Sequence, residues 1–306
     1  MREYFKKDTI LLVSSNRDQL FKGAKKEGYN ISNPYIEHNF FERILREICF
    51  RVKLLPKRVW YDKRILDFHP EKIVVWDALT TVDYLQWLHE VFPKAQLNFL
   101  YGNMIGKAKH IMPNEIPPYY RQWTYDNYDS QKYGIRQYKT DSYMKSYLKA
   151  KEDIVYDVLF VGKDKGRGNY LIELESKMRS MGLRTKFIIA PDGRLARKKN
   201  YYQKPIPYEE IVNLIVKSKS ILNVALDNQQ GITVRDMESV FFDVKLLTTN
   251  KYIKNSEFYN PNNVYILEGT KIDDLPTFLN RPLIPIPNEV KEKHTFDHFI
   301  EELTSD

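Results

Sequence analysis

Apolar and polar positions change their period along the chain, and each change marks an element. In the first half, DTILLVSS (8–15) is a short apolar run bounded by polar residues, which predicts a buried strand. Between His38 and Leu55, Phe41, Ile44, Leu45, Ile48, Val52 and Leu55 recur at helical spacing with Arg43, Arg46 and Lys53 among them, and Pro56 closes this helix. KIVVWDAL (72–79) predicts a strand ending at Trp76-Asp77, DYLQWLHEVF (83–92) a helix stopped before Pro93, and AQLNFLYGN (95–103) a strand ending in a Gly-Asn turn. Three prolines make IMPNEIPPYYR (111–121) a loop, and QWTYDNYDSQKYG continues into a short turn or helix.

The second half repeats the alternation. YDVLFVGKDKGRG (156–168) is a strand running into a Gly-rich basic turn, and YLIELESKMRSMG (170–182) is a helix with Gly182 as its stop. RTKFIIA (184–190), SILNVAL (220–226), VKLLTTN (244–250) and VYILE (264–268) read as strands, YEEIVNLIVKSK (208–219) and VRDMESVFF (234–242) as helices. NEVKEKHTFDHFIEEL (288–303) reads as one final amphipathic helix. Strand–helix–strand alternation in both halves predicts an α/β chain of two Rossmann-like doubly wound domains, 1–153 and 154–287, with the 288–306 helix crossing back to the first. Ligands of such sheets bind outside the carboxyl ends of the strands, so a cleft between two domains suits a two-substrate site.

Composition narrows the class. The 306 residues are 42% hydrophobic and 29% charged, a globular balance. One cysteine, Cys49, excludes a disulfide framework and any Cys-based zinc or iron–sulfur site, and fits a reducing compartment. No apolar stretch approaches the length of a membrane span, and MREYFKKDTILLV lacks the core and cleavage site of a signal peptide, so a cytoplasmic protein is expected. The net charge of +8 is uneven: residues 1–153 hold 26 Lys+Arg and 19 Asp+Glu, a net of +7, and residues 154–306 hold 22 and 21, a net of +1. From Arg43 to Arg64, eight basic residues face only Glu47 and Asp62. Such a bias suits nucleic acid, an anionic lipid or a phosphate-bearing substrate, or is merely a solvated surface. The 38–64 segment reads either as a core helix with snorkelling basic residues or as a surface that docks on the inner face of an anionic membrane.

Two segments could carry chemistry. After the strand ending at Gly162, Lys163, Lys165, Gly166, Arg167 and Gly168 precede a helix; small residues let amides approach a phosphate, and the helix N-terminus favours an anion. The spacing is neither that of a P-loop nor G-x-G-x-x-G, and a plain tight turn is the alternative. In DNQQGITVRDMESVFF, Gly231 frees a loop, Thr233 can cap the following helix, and Arg235 and Glu238 share a helix face. There a carboxylate can accept from a ribose diol and an arginine can pair with a diphosphate, unless the two form only a surface ion pair.

The stretch from Tyr156 to Leu267 resembles the donor-binding domain of GT-B-type glycosyltransferases, most of all bacterial enzymes of surface-polysaccharide and spore-coat-maturation pathways. YDVLFVGKDKGR, YEEIVNLIVKSKSILNV, GITVRDMESVFFDVKLLTTN and KYIKNSEFYNPNNVYIL carry the resemblance, with Gly231, Arg235, Glu238 and Ser239 in the G-x-x-x-R-x-x-E-[AS] pattern before Thr248-Thr249. The resemblance implies that Glu238 holds the ribose of a nucleotide sugar and that the loop after Gly162 faces its diphosphate. Many retaining relatives carry Glu-x7-Glu ending at the position of Glu238, and this chain has Gln230 at the first of the two. The first half is less specifically similar to the acceptor domain, through KIVVWDAL, LNFLYGN and QWTYDNYDSQKYG. The implied activity is metal-independent transfer of a sugar to a glycan, glycolipid or glycoprotein acceptor. Lys163, Lys165, Arg167 and Arg235 would then stabilise the leaving diphosphate. An inverting course needs a general base, for which Asp77 is placed at a strand end, ahead of Asp126 and Asp129. No D-x-D or His-x-x-x-His metal motif accompanies these residues, and no further cofactor is implied. A non-catalytic GT-B-like subunit is one alternative. A nucleic-acid-binding protein is the other, without any recognised signature for it.

Overall fold

A computed structural model describes residues 6–14, 19–36, 40–52, 56–77, 80–106, 111–138, 143–193, 199–226 and 231–305. The chain divides into two compact units, Met1–Tyr138 with Ile300–Asp306, and Lys139–Phe299.

The first unit contains β1 (Ile10–Val13), α1 (Gln19–Lys26), β2 (Asn30–Ser32), α2 (Phe40–Val52), β3 (Lys72–Trp76), α3 (Val82–Val91), β4 (Gln96–Tyr101), β5 (Tyr120–Thr124), α4 (Asn127–Tyr133) and β6 (Arg136–Gln137). Its sheet runs β2-β1-β3-β4-β5-β6, every pairing parallel. The central strands are continuous apolar runs because both faces of a parallel sheet are covered. Leu11, Val75 and Phe99 pack with Leu85 and Leu88 of α3, and Tyr61 meets Tyr84 edge to face at 5.0 Å. Thr81 caps α3 by accepting from the Tyr84 amide. The chain terminus is fastened here: Lys72 donates to the Thr304 carbonyl (2.6 Å) and Arg121 to that of Ser305 (2.8 Å).

The second unit contains β7 (Tyr156–Lys163), α5 (Gly168–Ser180), β8 (Thr185–Ala190), α6 (Tyr208–Ile215), β9 (Ser218–Asn223), α7 (Val234–Phe241), β10 (Lys245–Thr248), β11 (Val264–Ile266), α8 (Leu275–Asn280), α9 (Asn288–Lys293) and the start of α10 (Phe296–Thr304). Its sheet order is β11-β10-β9-β7-β8, again all parallel. The order reverses between β7 and β9, which makes the carboxyl ends of those two strands the switch point of a doubly wound sheet. Val158, Phe160, Leu222 and Leu247 pack against Leu171, Leu174 and Met178 of α5. Gly182 ends this helix turn at φ +79°, a left-handed conformation that glycine adopts without strain.

Three expectations change. The 288–303 stretch is two helices, because the Tyr143 amide donates to the His294 carbonyl (2.7 Å) and the Phe296 amide to the Tyr143 carbonyl (3.0 Å). That bridge takes both groups out of a helical ladder. The polar run YRQWT is strand β5, drawn into the sheet by parallel pairing with β4, and α4 follows it. Finally, α2 does not bury its apolar stripe. Phe41, Ile44, Leu45, Ile48 and Val52 are exposed, whereas Arg46 and Cys49 are buried. Arg46 lies over the Tyr35 ring at 4.2 Å. Helix α2 thus packs Phe50 against the core and leaves its apolar stripe outside it. No described helix is long and apolar enough to cross a membrane.

Candidate functional site

At the carboxyl end of β7 the chain must turn sharply from strand to helix. Lys165 (φ +48°) and Gly166 (φ +82°) make the turn, and the Lys165 amide donates to Asp192 (2.7 Å). Asp164 organises it from inside. Its carboxylate accepts from the Gly168 amide (2.7 Å), Lys199 (2.7 Å), the Tyr202 hydroxyl (2.7 Å) and the Tyr201 hydroxyl (3.2 Å). Burial opposes its charge, but Lys199, Tyr202, Gly168 and Tyr201 outweigh burial and hold the carboxyl well below the usual range. Gly168 is closely approached: a Cβ there would lie against the Tyr201 hydroxyl and 2.8 Å from Asp164, and those side chains would have to shift.

The loop then presents cations to one another. Arg167 packs over Phe160 at 5.6 Å, and its Nε is buried with no hydrogen-bond partner among the described residues. Burial lowers its pKa and Arg235 pushes the same way, against Asp164 and Asp192. Lys165 is likewise lowered, by burial and then by Arg167 and Lys163. Lys163, Lys165, Arg167 and Arg235 are thus brought together, and their protonated forms repel. An anion placed among them would relieve that repulsion.

The end of β9 supplies the other wall. Thr233 caps α7, and Asp236 returns a bond to the Thr233 amide (2.8 Å), a capping box. Asn223, the last residue of β9, donates to the Asp236 carboxylate (2.7 Å) and the Thr233 hydroxyl (3.1 Å). Asp236 is fully buried, which raises its pKa against these bonds. Gly231 precedes the cap and its carbonyl accepts from Asn250 (3.4 Å). Arg235 donates to the Val161 carbonyl of β7 (3.0 Å) and is ion-paired with Glu238. It therefore latches α7 to the loop-bearing strand.

Glu238 is 1% exposed. The pair with Arg235 is interior rather than a surface pair. Burial raises the Glu238 pKa, with Arg235 and Tyr208 opposing, and one carboxylate oxygen accepts no hydrogen bond among the described residues. The Tyr208 hydroxyl donates to that of Tyr143 (2.9 Å), and both phenols are raised by burial and by the Glu238 charge. Glu238 therefore sits in the interior beside Tyr208 and Tyr143. Gln230 lies outside the described residues.

Asp77 belongs to the first unit. It follows β3, is buried, and its amide donates to the Leu100 carbonyl (2.9 Å). Its surroundings are phenolic: Tyr101 and Tyr138 are raised by burial first and by Asp77 next. Asp126 caps α4 through the amides of Tyr128 and Asp129, and Asp129 accepts from the Ile105 amide (2.8 Å). Those bonds give both residues structural work. Among the described residues no group of three His, Cys, Asp or Glu side chains could hold a metal ion.

Several organising residues were not anticipated. Asp164 had a signal, an acid just before a helix start. Thr-x-x-Asp at 233–236 is a capping-box spacing that marks Asp236. Lys199, Tyr202, Asn223, Tyr143 and Tyr208 reach these sites only through tertiary structure.

No protein-family model matches the chain, and no curated protein matches it. Solved structures do. The DNA-modifying enzyme β-glucosyltransferase, solved in the presence and absence of UDP-glucose, aligns at TM-score 0.51 and 12% identity over 96% of this chain and 99% of its own. A Listeria monocytogenes protein assigned as a UDP-N-acetylglucosamine 2-epimerase aligns at 0.46 and 10% identity, over 94% of this chain and 91% of its own. The glycosylation-associated Gap123 complex of Streptococcus agalactiae aligns at 0.44 and 12%, over 86% of this chain and 57% of its own. Together with the two parallel sheets, the first likeness defines the class: two Rossmann-like α/β units of the GT-B type.

Proposed function

We propose that the chain is a glycosyltransferase that moves a sugar from a nucleoside-diphosphate sugar to a glycan, glycolipid or glycoprotein acceptor in bacterial surface-glycan synthesis in the cytoplasm. One observation carries the reading: four cations, two of them with depressed pKa values, gather at the switch-point ends of β7 and β9. A diphosphate is the anion whose size and charge suit such a cluster. The fold is compatible with this, because a solved GT-B enzyme of the same fold was studied with UDP-glucose.

In the proposed reaction the acceptor oxygen bonds to the anomeric carbon as the bond from that carbon to the diphosphate breaks. The leaving oxygen keeps the electron pair, and Lys163, Lys165, Arg167 and Arg235 stabilise it without a metal. Asp77 takes the acceptor proton. Gly162, Gly166 and Gly231 keep side chains away from the phosphates, and Thr233 holds the start of α7. Glu238 accepts from the ribose hydroxyls and also holds Arg235.

Saturation-transfer NMR with UDP, GDP, TDP and CMP tests the site. Binding of at least one diphosphate is expected, weakened about tenfold or more in Arg167→Ala as a charge-assisted contact is lost. No binding by any nucleotide, or unchanged binding in that variant, overturns the proposal. Turnover of a sugar nucleotide by the isolated chain, lost in Asp77→Asn, distinguishes an enzyme from a non-catalytic GT-B-like subunit.

A further inference from the structure

Helix α2 is amphipathic, but it turns its apolar side outward. Phe41, Ile44, Leu45, Ile48 and Val52 are 79%, 40%, 53%, 49% and 57% exposed. The helix is anchored instead by its opposite side, through buried Arg46 over Tyr35 and buried Cys49. The stripe is part of a wider concentration: of the fourteen large hydrophobic residues exposed among the described residues, seven lie between Phe41 and Leu66. An exposed apolar run of this kind costs free energy in water and marks an interaction surface.

The charge beside it indicates what it meets. Arg43, Glu47 and Arg51 are four apart and form the exposed flank adjoining the apolar stripe. Glu47 is ion-paired with the inward Arg46 (2.9 Å). The flank therefore presents arginine charge along an apolar ridge, within the most basic part of the chain. A second copy is a poor occupant. In an antiparallel helix pair Arg43 of one chain would approach Arg51 of the other, setting like charges together. An anionic bilayer satisfies both features at once: apolar side chains enter the acyl boundary and arginines meet lipid phosphates.

We propose that the outward face of α2 docks on a membrane surface containing anionic lipid, lying in the interface rather than spanning it. This inference stands independently of the nucleotide site, since it uses other residues and another ligand.

Vesicle flotation with the full chain tests it, using phosphatidylcholine alone and phosphatidylcholine mixed with phosphatidylglycerol. The chain is expected to float with the anionic vesicles, and added salt should reduce that fraction. Two double variants separate the contributions, Ile44→Ser with Ile48→Ser and Arg43→Glu with Arg51→Glu. Each should weaken binding about tenfold or more, because apolar insertion and lipid attraction both contribute. Because all four side chains are exposed, circular dichroism should show both variants folded with an unchanged thermal midpoint. Failure of the parent chain to bind anionic vesicles overturns the proposal, as does equal binding by the Ile44→Ser, Ile48→Ser variant. A dimer in sedimentation equilibrium that these serines dissociate, without any vesicle binding, assigns the face to a second copy and also overturns it.

Discussion

Arg235 joins one helix, one strand and one buried acid, so its removal has consequences on each. Arg235→Ala would leave Glu238 buried without its cation, which should destabilise the chain by about 3 kcal/mol. The sign of its pH dependence follows from Glu238. Burial already raises that carboxyl, and losing Arg235 raises it further, so the penalty belongs to the charged form. Denaturant unfolding should show the deficit narrowing as pH falls from neutrality and Glu238 takes up a proton. At Gly168 the argument is steric. Gly168→Ala forces its Cβ into the Tyr201 hydroxyl and Asp164, so a loss of about 1–3 kcal/mol is expected, together with weaker nucleotide binding. The candidate cations were legible at this scale, since basic residues in a strand–turn–helix are visible in the sequence. Glu238 as a buried partner was not, because burial is set by packing between segments far apart in sequence.

Among elements, Asp157 ties three neighbouring strands. It lies on β7, accepts from the Arg184 amide (2.9 Å) and guanidinium just before β8, and pairs with Lys219 of β9 (3.1 Å). Burial works against its charge, but Arg184, its amide and Lys219 prevail and bring the carboxyl down to about 2. A depressed carboxyl stabilises above its unfolded pKa and loses that contribution as pH falls through its folded one. Parent and Asp157→Asn should therefore differ at neutral pH by about 2 kcal/mol and converge between about pH 4 and pH 2 in urea unfolding. Helix α2 supplies a contrast with α3. Leu85→Ala in the core should cost about 2–5 kcal/mol, whereas Ile44→Ser should change stability by about 0.5 kcal/mol or less. Period alone predicted α2 as a helix, yet period does not say which side turns inward. Here the side that turns inward is the one carrying Arg46, stacked on Tyr35, and Cys49.

For the whole molecule, each unit has its own sheet and its own apolar core. A nucleotide held only by residues of the second unit should stabilise that unit, by about 2.7 kcal/mol at a hundredfold excess over its Kd. Calorimetry and hydrogen exchange of the full chain should place the added protection at β7, β9 and α7. Protection confined to the first unit would contradict the assigned site.

The sequence by itself determined the two α/β units, the continuous apolar central strands and the two short loops that carry the cations. These follow from local rules of period, turn chemistry and strand–helix alternation. Tertiary structure alone decided what the charges do. The parallel order of β7 and β9 made neighbours of loops about sixty residues apart. Burial turned an Arg–Glu spacing into an interior latch, and packing of the Arg46 side of α2 left its hydrophobic stripe facing outward. Charge and exposure depend on which distant groups arrive beside a residue, and spacing along the chain does not contain that information.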